Sequence, residues 1–180
     1  KDGIFVAQLM CLASMLQKND LGNICHEHIE YYSYDSLKYM FEKNGLEIFK
    51  IEENEINGGS YRIYCRKFNK GSIKLKKENV ESMMKKFVKR VKENKKQMID
   101  FIIKQKKNNK NIFLYGASTK GNTLLQYYKL NSNIIPYAAE RSPEKWGKYT
   151  VGTGIKIVSE KFARKLNPDY FLVTPWGFIN

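Results

Sequence analysis

The chain has 180 residues, 42% of them hydrophobic, with 32 Lys or Arg against 18 Asp or Glu and a formal charge of +14. That length holds one ordinary domain or two small ones with a folded core. No apolar run approaches the roughly 18 residues of a membrane-spanning helix, so no membrane partner is expected. Cys11, Cys25 and Cys65 are widely spaced and form no CxxC pair; they read as reduced thiols in a cytoplasm.

Gly3–Ala7 reads as a short strand, followed by a mixed segment to Asn19. Tyr34–Asn44 reads as a helix stopped by Gly45, the residue type expected just past a helix end. Leu46–Glu52 and Ser60–Arg66 follow as strands, the second alternating Tyr61, Ile63 and Cys65 against Arg62 and Tyr64. The turn signal Asn57-Gly58-Gly59-Ser60 separates them.

Residues 78–107 contain neither Pro nor Gly. Val80, Met84, Phe87, Val91, Met98 and Ile102 recur there at helical spacings, with Met83, Val88, Ile99 and Ile103 broadening the stripe. This predicts one long amphipathic helix linking two lobes. Nearly all the charge excess sits around it, since residues 66–110 hold 17 basic and 4 acidic side chains. A basic helix can bind phosphate backbones. No DNA or RNA recognition motif accompanies this one, so a solvated face is expected and no nucleic acid partner.

Beyond Asn111, Ile112–Tyr115, Ile134–Ala139 and Tyr170–Thr174 read as strands, with helices over Lys120–Lys129 and Ser159–Lys165. Strands alternating with helices predict parallel βαβ units. The fold class is α/β.

Two motifs carry chemistry. Cys25-His26-Glu27-His28-Ile29 holds both histidines of the chain. Two imidazoles around a carboxylate suit proton transfer near neutral pH or metal ligation, and a plain surface turn is the remaining reading. A metal site would need a third ligand; Cys25 is too close along the backbone to join easily, and Cys11 or Cys65 could contribute. The second motif, Gly116-Ala117-Ser118-Thr119-Lys120-Gly121-Asn122-Thr123, lies between a strand and a helix, where backbone N–H groups converge on an anion. Ser118 replaces the middle glycine of GxGxxG, and Asn122 stands where a P-loop has Lys. Glu140 ends the next strand, where an acid can bond a ribose hydroxyl. A tight turn capped by Ser or Thr explains the same residues without a ligand. Gly147 to Gly154 is a further glycine-rich loop, and Lys145, Lys148 and Tyr149 could help close over an anion.

In order along the chain, His26-Glu27-His28 with Tyr31-Tyr32, Asn57-Gly58-Gly59-Ser60 with Arg62, Gly116 to Thr123, Gly147-Lys148-Tyr149-Thr150 and Pro175-Trp176 together resemble the S-adenosylmethionine-dependent C-methyltransferases of nucleotide-linked deoxysugars. The resemblance implies that residues 1–68 are the end of a Rossmann-like methyltransferase domain, 69–110 a linker with the long helix, and 111–180 a smaller Rossmann-like, truncated C-terminal lobe with a parallel sheet that holds a nucleotide-diphosphate sugar. It implies that the S-adenosylmethionine loop and the cysteines of a zinc-binding lobe lie upstream, so that this chain is a fragment, inactive by itself and holding no metal.

By matched position, His28 would be the general base and Glu27 its orienting partner. Asn57, Ser60 and Arg62 would approach the substrate; Ser118, Lys120 and Asn122 would face the diphosphate; Glu140 would face the nucleoside, and Tyr149 would lie over the ligand. Cys25 stands where the family often has Tyr, and Gly177 where many members have His after Pro-Trp. The competing expectation is a non-catalytic dinucleotide-binding module built on the Gly116 loop. An unpaired edge of the truncated sheet would favour a homodimer.

Overall fold

The computed structural model describes residues 3–75 and 77–174. The chain divides into two units, Lys1–Asp20 with Glu27–Lys89, and Leu21–His26 with Arg90–Asn180. No helix among the described residues is long and apolar enough to cross a membrane.

The first unit is built on an antiparallel sheet of β1 (Phe5–Met10), β2 (Leu46–Asn54) and β3 (Ser60–Lys67), with β3 in the middle. The alternation read in β3 decides its faces: Tyr61, Ile63 and Cys65 are buried, whereas Arg62 and Tyr64 are only half-covered. Against that buried face pack α1 (Leu12–Lys18) and α2 (Tyr34–Lys43), through Ala13, Tyr34, Leu37 and Phe41. Helix α2 begins where the Ser33 hydroxyl accepts from the Ser36 N–H at 3.3 Å and ends before Gly45, whose φ of +74° lies in the left-handed region that favours glycine. A register shift between Ile48 and Lys50 leaves Phe49 as the extra residue of a bulge in β2.

Two carboxylates of this unit are buried, Asp20 and Glu47. Glu47 accepts from Arg66 Nε at 2.8 Å and from the backbone N–H groups of Asn69, Lys70 and Gly71 at 2.9, 2.7 and 2.6 Å. A carboxylate shielded from water persists only when its lone pairs are satisfied in this way. Led by the Asn69 N–H and the Arg66 guanidinium, these donors outweigh burial and hold its pKa at about 2.

Helix α3 spans Val80–Lys107 as one continuous element. Asn79 caps it, its Oδ1 accepting from the Ser82 N–H at 3.0 Å. Of the expected stripe, Phe87, Val91 and Ile102 are buried, whereas Met84, Val88 and Ile103 are about half exposed.

The second unit contains a four-stranded, fully parallel sheet of β4 (Ile112–Tyr115), β5 (Tyr137–Glu140), β6 (Lys156–Ser159) and β7 (Tyr170–Val173), in the order β6-β5-β4-β7. Helices α4 (Thr119–Tyr128) and α5 (Glu160–Lys165) connect β4 to β5 and β6 to β7. Three strands step outward and the fourth returns to the free side of the first, which is the order of a Rossmann-like half. Strand β6 is missing from the sequence reading, and β5 starts three residues later than expected. β6 is only four residues long and runs directly into the Ser159 cap of α5, so it shows no period-2 pattern long enough to separate it from the glycine-rich loop. One side of the sheet buries Ile112, Leu114, Leu125, Leu130, Ile135 and Ile157 with Ile102 of α3; the other buries Phe113, Ala139, Val158 and Ala163.

Candidate functional site

In a sheet with this strand order, ligands bind beyond the carboxyl ends of the strands, where the chain direction switches. Here that point is the end of β4, between β5 and β7. Gly116 leaves β4 with φ +85° and still donates its N–H to Ala139 O at 2.8 Å. The Ser118 hydroxyl then accepts from the Gly121 N–H at 3.0 Å, capping α4. The serine expected to face a phosphate therefore spends an acceptor on the helix, which leaves its O–H to donate outward.

Gly121 is the close-contact glycine of the loop. A Cβ there would lie 2.6 Å from Thr174 Oγ1, and that hydroxyl in turn donates to Gly116 O at 3.1 Å. The 3-10 turn Leu21–Asn23 packs on the same helix, bringing Gly22 so close to Lys120 that a Cβ would sit 2.8 Å from Lys120 Cβ. Asn122 is half-buried, and its Oδ1 has no hydrogen-bond partner among the described residues.

Glu140 closes the β5 side. Its Oε2 accepts from the Ala117 N–H at 2.9 Å, and Oε1 accepts from the N–H groups of Arg141 and Ser142 at 2.9 and 3.1 Å. Burial alone would raise its pKa, but the Ala117 and Ser142 donors, the Lys145 ammonium 3.6 Å away and the Arg141 N–H bring it below the usual carboxyl value. A carboxylate offers about four lone-pair positions. Three are taken by backbone, and the fourth, on Oε2, has among the described residues only the Lys145 ammonium near it, 3.6 Å away.

Lys145, which the sequence marks as able to close over an anion, joins this cluster together with Trp146, which the sequence reading does not include. Lys145 Nζ donates to Ala117 O at 3.0 Å, and Trp146 Nε1 donates to Glu140 O at 2.8 Å. The loop of 147–154 is tied down rather than loose. Gly147 N–H and Lys148 O both bond Ile157, Tyr149 bridges Lys156, and the Thr150 and Thr153 hydroxyls share a 2.7 Å bond. Tyr149 itself is exposed.

In the first unit, the residues expected to meet a substrate divide. His28 is half-buried, with its ring edge-on to Tyr31 at 6.4 Å between centroids. Glu27 is exposed. The segment returns to the carboxyl end of β1 at Tyr32, whose carbonyl accepts from the Leu12 N–H at 3.1 Å. Tyr32 bonds Glu30, which raises its pKa. Ser60 is buried and gives its hydroxyl to Ile56 O at 2.8 Å, so it is committed to the turn. Arg62 is half-exposed and contacts Gln8 Oε1 at 3.1 Å and Glu52 at 3.7 Å. The glycines of this turn have a packing reason: Gly59 has φ +132°, and a Cβ on it would lie 2.4 Å from Ser14 Cβ of α1.

The side chain of Asn57 and the Pro175-Trp176-Gly177 stretch lie outside the described residues. Among the described residues no three His, Cys, Asp or Glu side chains gather to hold a metal. Cys11 and Cys65, the cysteines that could contribute to a metal site on the histidines, are buried; Cys11 accepts from the Ser14 N–H as the cap of α1.

Comparison with known proteins finds two matches. The family model for the C-methyltransferase C-terminal domain matches residues 55–180, more than half of the chain. C-methyltransferase NovU of Streptomyces niveus is 26% identical over 189 aligned positions, covering 98% of this chain and 45% of NovU. The chain thus spans less than half the length of that relative.

Proposed function

Because this chain belongs to the C-methyltransferase family through its C-terminal domain, we propose that it is the acceptor-binding portion of an enzyme that methylates a carbon of a nucleotide-linked keto-deoxysugar, with S-adenosylmethionine as methyl donor. The observation carrying this reading is the convergence, at the end of β4, of the Gly116–Ser118 turn, the first turn of α4 and the ionised Glu140. The diphosphate lies against the positive end of α4, contacted by Ser118, Lys120 and Asn122. The ribose donates a hydroxyl to the remaining lone pair of Glu140, and Tyr149 covers the ligand from the adjoining loop.

In the first unit, His28 takes the proton from the carbon beside the keto group, and Glu27 orients it. Arg62 contributes a positive charge to the substrate. Ser60 shapes the turn that carries Asn57. The described residues do not fit the methyl donor: β1 passes into α1 through Cys11 alone, without the glycine turn that lets a nucleotide approach the backbone. On this reading the chain by itself binds nucleotide and transfers no methyl group, and the zinc lobe implied by the resemblance is separate from it.

Calorimetric titration with thymidine diphosphate, with NAD as the comparison ligand, tests the reading. Saturable binding of the diphosphate, lost in Lys120→Ala and absent with NAD, is expected. Preference for NAD would replace the reading with a dinucleotide-binding module.

A further inference from the structure

Trp146 has no role in the fold that accounts for its placement. Nearly half of it (44%) is exposed, yet it is held at two points. Its backbone N–H donates to Pro143 O at 3.1 Å, and its indole N–H donates to Glu140 O at 2.8 Å. It leaves the short 3-10 turn Pro143–Lys145, whose last residue is anchored to Ala117 O, and is followed by Gly147 at φ +80°. The indole is therefore fixed at the carboxyl end of β5, on the same residue whose carboxylate caps the Gly116 loop. Among the described residues no aromatic ring or cation stacks on it, in contrast with the paired rings of Phe113, Tyr137, Phe162 and Phe171 in the same unit. A pinned indole with an open face has lost its rotamer freedom in advance, which is what stacking a planar ligand requires.

We propose that Trp146 is the stacking platform for the nucleobase of the nucleoside diphosphate. The inference rests on the reading of the Gly116 loop as a nucleotide site. Glu140 links the two through a single residue, with its side chain toward the ribose and its carbonyl holding the indole. Base recognition of this kind tolerates any base with a π face, so the residue adds affinity for a nucleoside without choosing its identity.

The test compares thymidine diphosphate with inorganic pyrophosphate by calorimetry, in the wild type, Trp146→Ala and Trp146→Phe. Trp146→Ala is expected to weaken thymidine diphosphate about tenfold or more and to leave pyrophosphate unchanged, with Trp146→Phe in between. In a Trp176→Phe background, thymidine diphosphate is expected to quench the remaining indole emission and pyrophosphate to leave it unaltered. Full thymidine diphosphate affinity in Trp146→Ala, an equal loss for both ligands, or unquenched emission at saturation would each overturn the stacking role while leaving the nucleotide reading intact. If neither ligand binds the wild type, the nucleotide reading fails first and the stacking role with it.

Discussion

Replacing Gly121 by alanine sets two effects of opposite sign against each other. Alanine is favoured over glycine within a helix, by at most about 0.8–1 kcal/mol in the first turn where Gly121 lies, so an uncontacted Gly121→Ala would stabilise the chain. At this position the added Cβ would lie 2.6 Å from Thr174 Oγ1, 3.0 Å from Thr174 Cβ and 3.2 Å from Ser118 Oγ. Forcing one carbon into such a contact costs about 1–3 kcal/mol. Displacing the Thr174 hydroxyl also loses its bond to Gly116 O, a further loss of about 1 kcal/mol. The expected net result is a destabilisation of about 1–3 kcal/mol. Urea unfolding at constant slope measures it, and a cycle with Thr174→Ala isolates its cause. Removing the hydroxyl first takes away the closest contact, so the double variant should be more stable than the two single changes predict by about 1 kcal/mol or more. Stabilisation by Gly121→Ala, or additivity within about 0.5 kcal/mol, would refute the close approach of Thr174 to the first turn of α4.

Gly59→Ala combines a forbidden φ with a clash against Ser14, and is expected to cost about 2 kcal/mol or more in thermal or urea unfolding; Ser14→Gly should recover only part of this, because it relieves the contact and not the φ. Glu47 has a folded pKa of about 2, below the ordinary 4.5, so its contribution is complete above pH 4.5 and fades as the pH falls towards 2. The stability difference between wild type and Glu47→Gln should therefore shrink across that window, and a difference independent of pH would show that the carboxylate is not held by its donors. Leu114→Ala, in the fully buried centre of β4, should cost about 2–5 kcal/mol. Ile29→Ser, at a position 92% exposed, should change stability by less than about 0.5 kcal/mol.

What could be read along the chain is what neighbouring residues decide among themselves. The long helix, expected over residues 78–107 from a stretch without Pro or Gly, runs over Val80–Lys107, α2 stops before Gly45, and β3 alternates Tyr61, Ile63 and Cys65 inward. These follow from periodicity and capping, which act within a turn or two of backbone. The strand-loop-helix at Gly116 and the acid ending β5 were legible for the same reason: both signals are local, and the Gly121-to-Glu140 spacing matches one βαβ step.

Tertiary contact decided the rest, because it joins residues whose separation in sequence carries no signal. Strand β6 is too short to show a period, and it became a strand only by pairing with β5. The backbone of a turn closing on Ser14 gives Gly59 a packing purpose, and Thr174, 53 positions away, does the same for Gly121. Ser60 was drawn into its own turn by Ile56 O. Glu140 looked like a free acid, yet three backbone N–H groups occupy it, and the Lys145 and Trp146 beside it gained their places from bonds to Ala117 O and Glu140 O. Each of these depends on where a hydrogen-bonding group arrives in space, which only the folded chain determines.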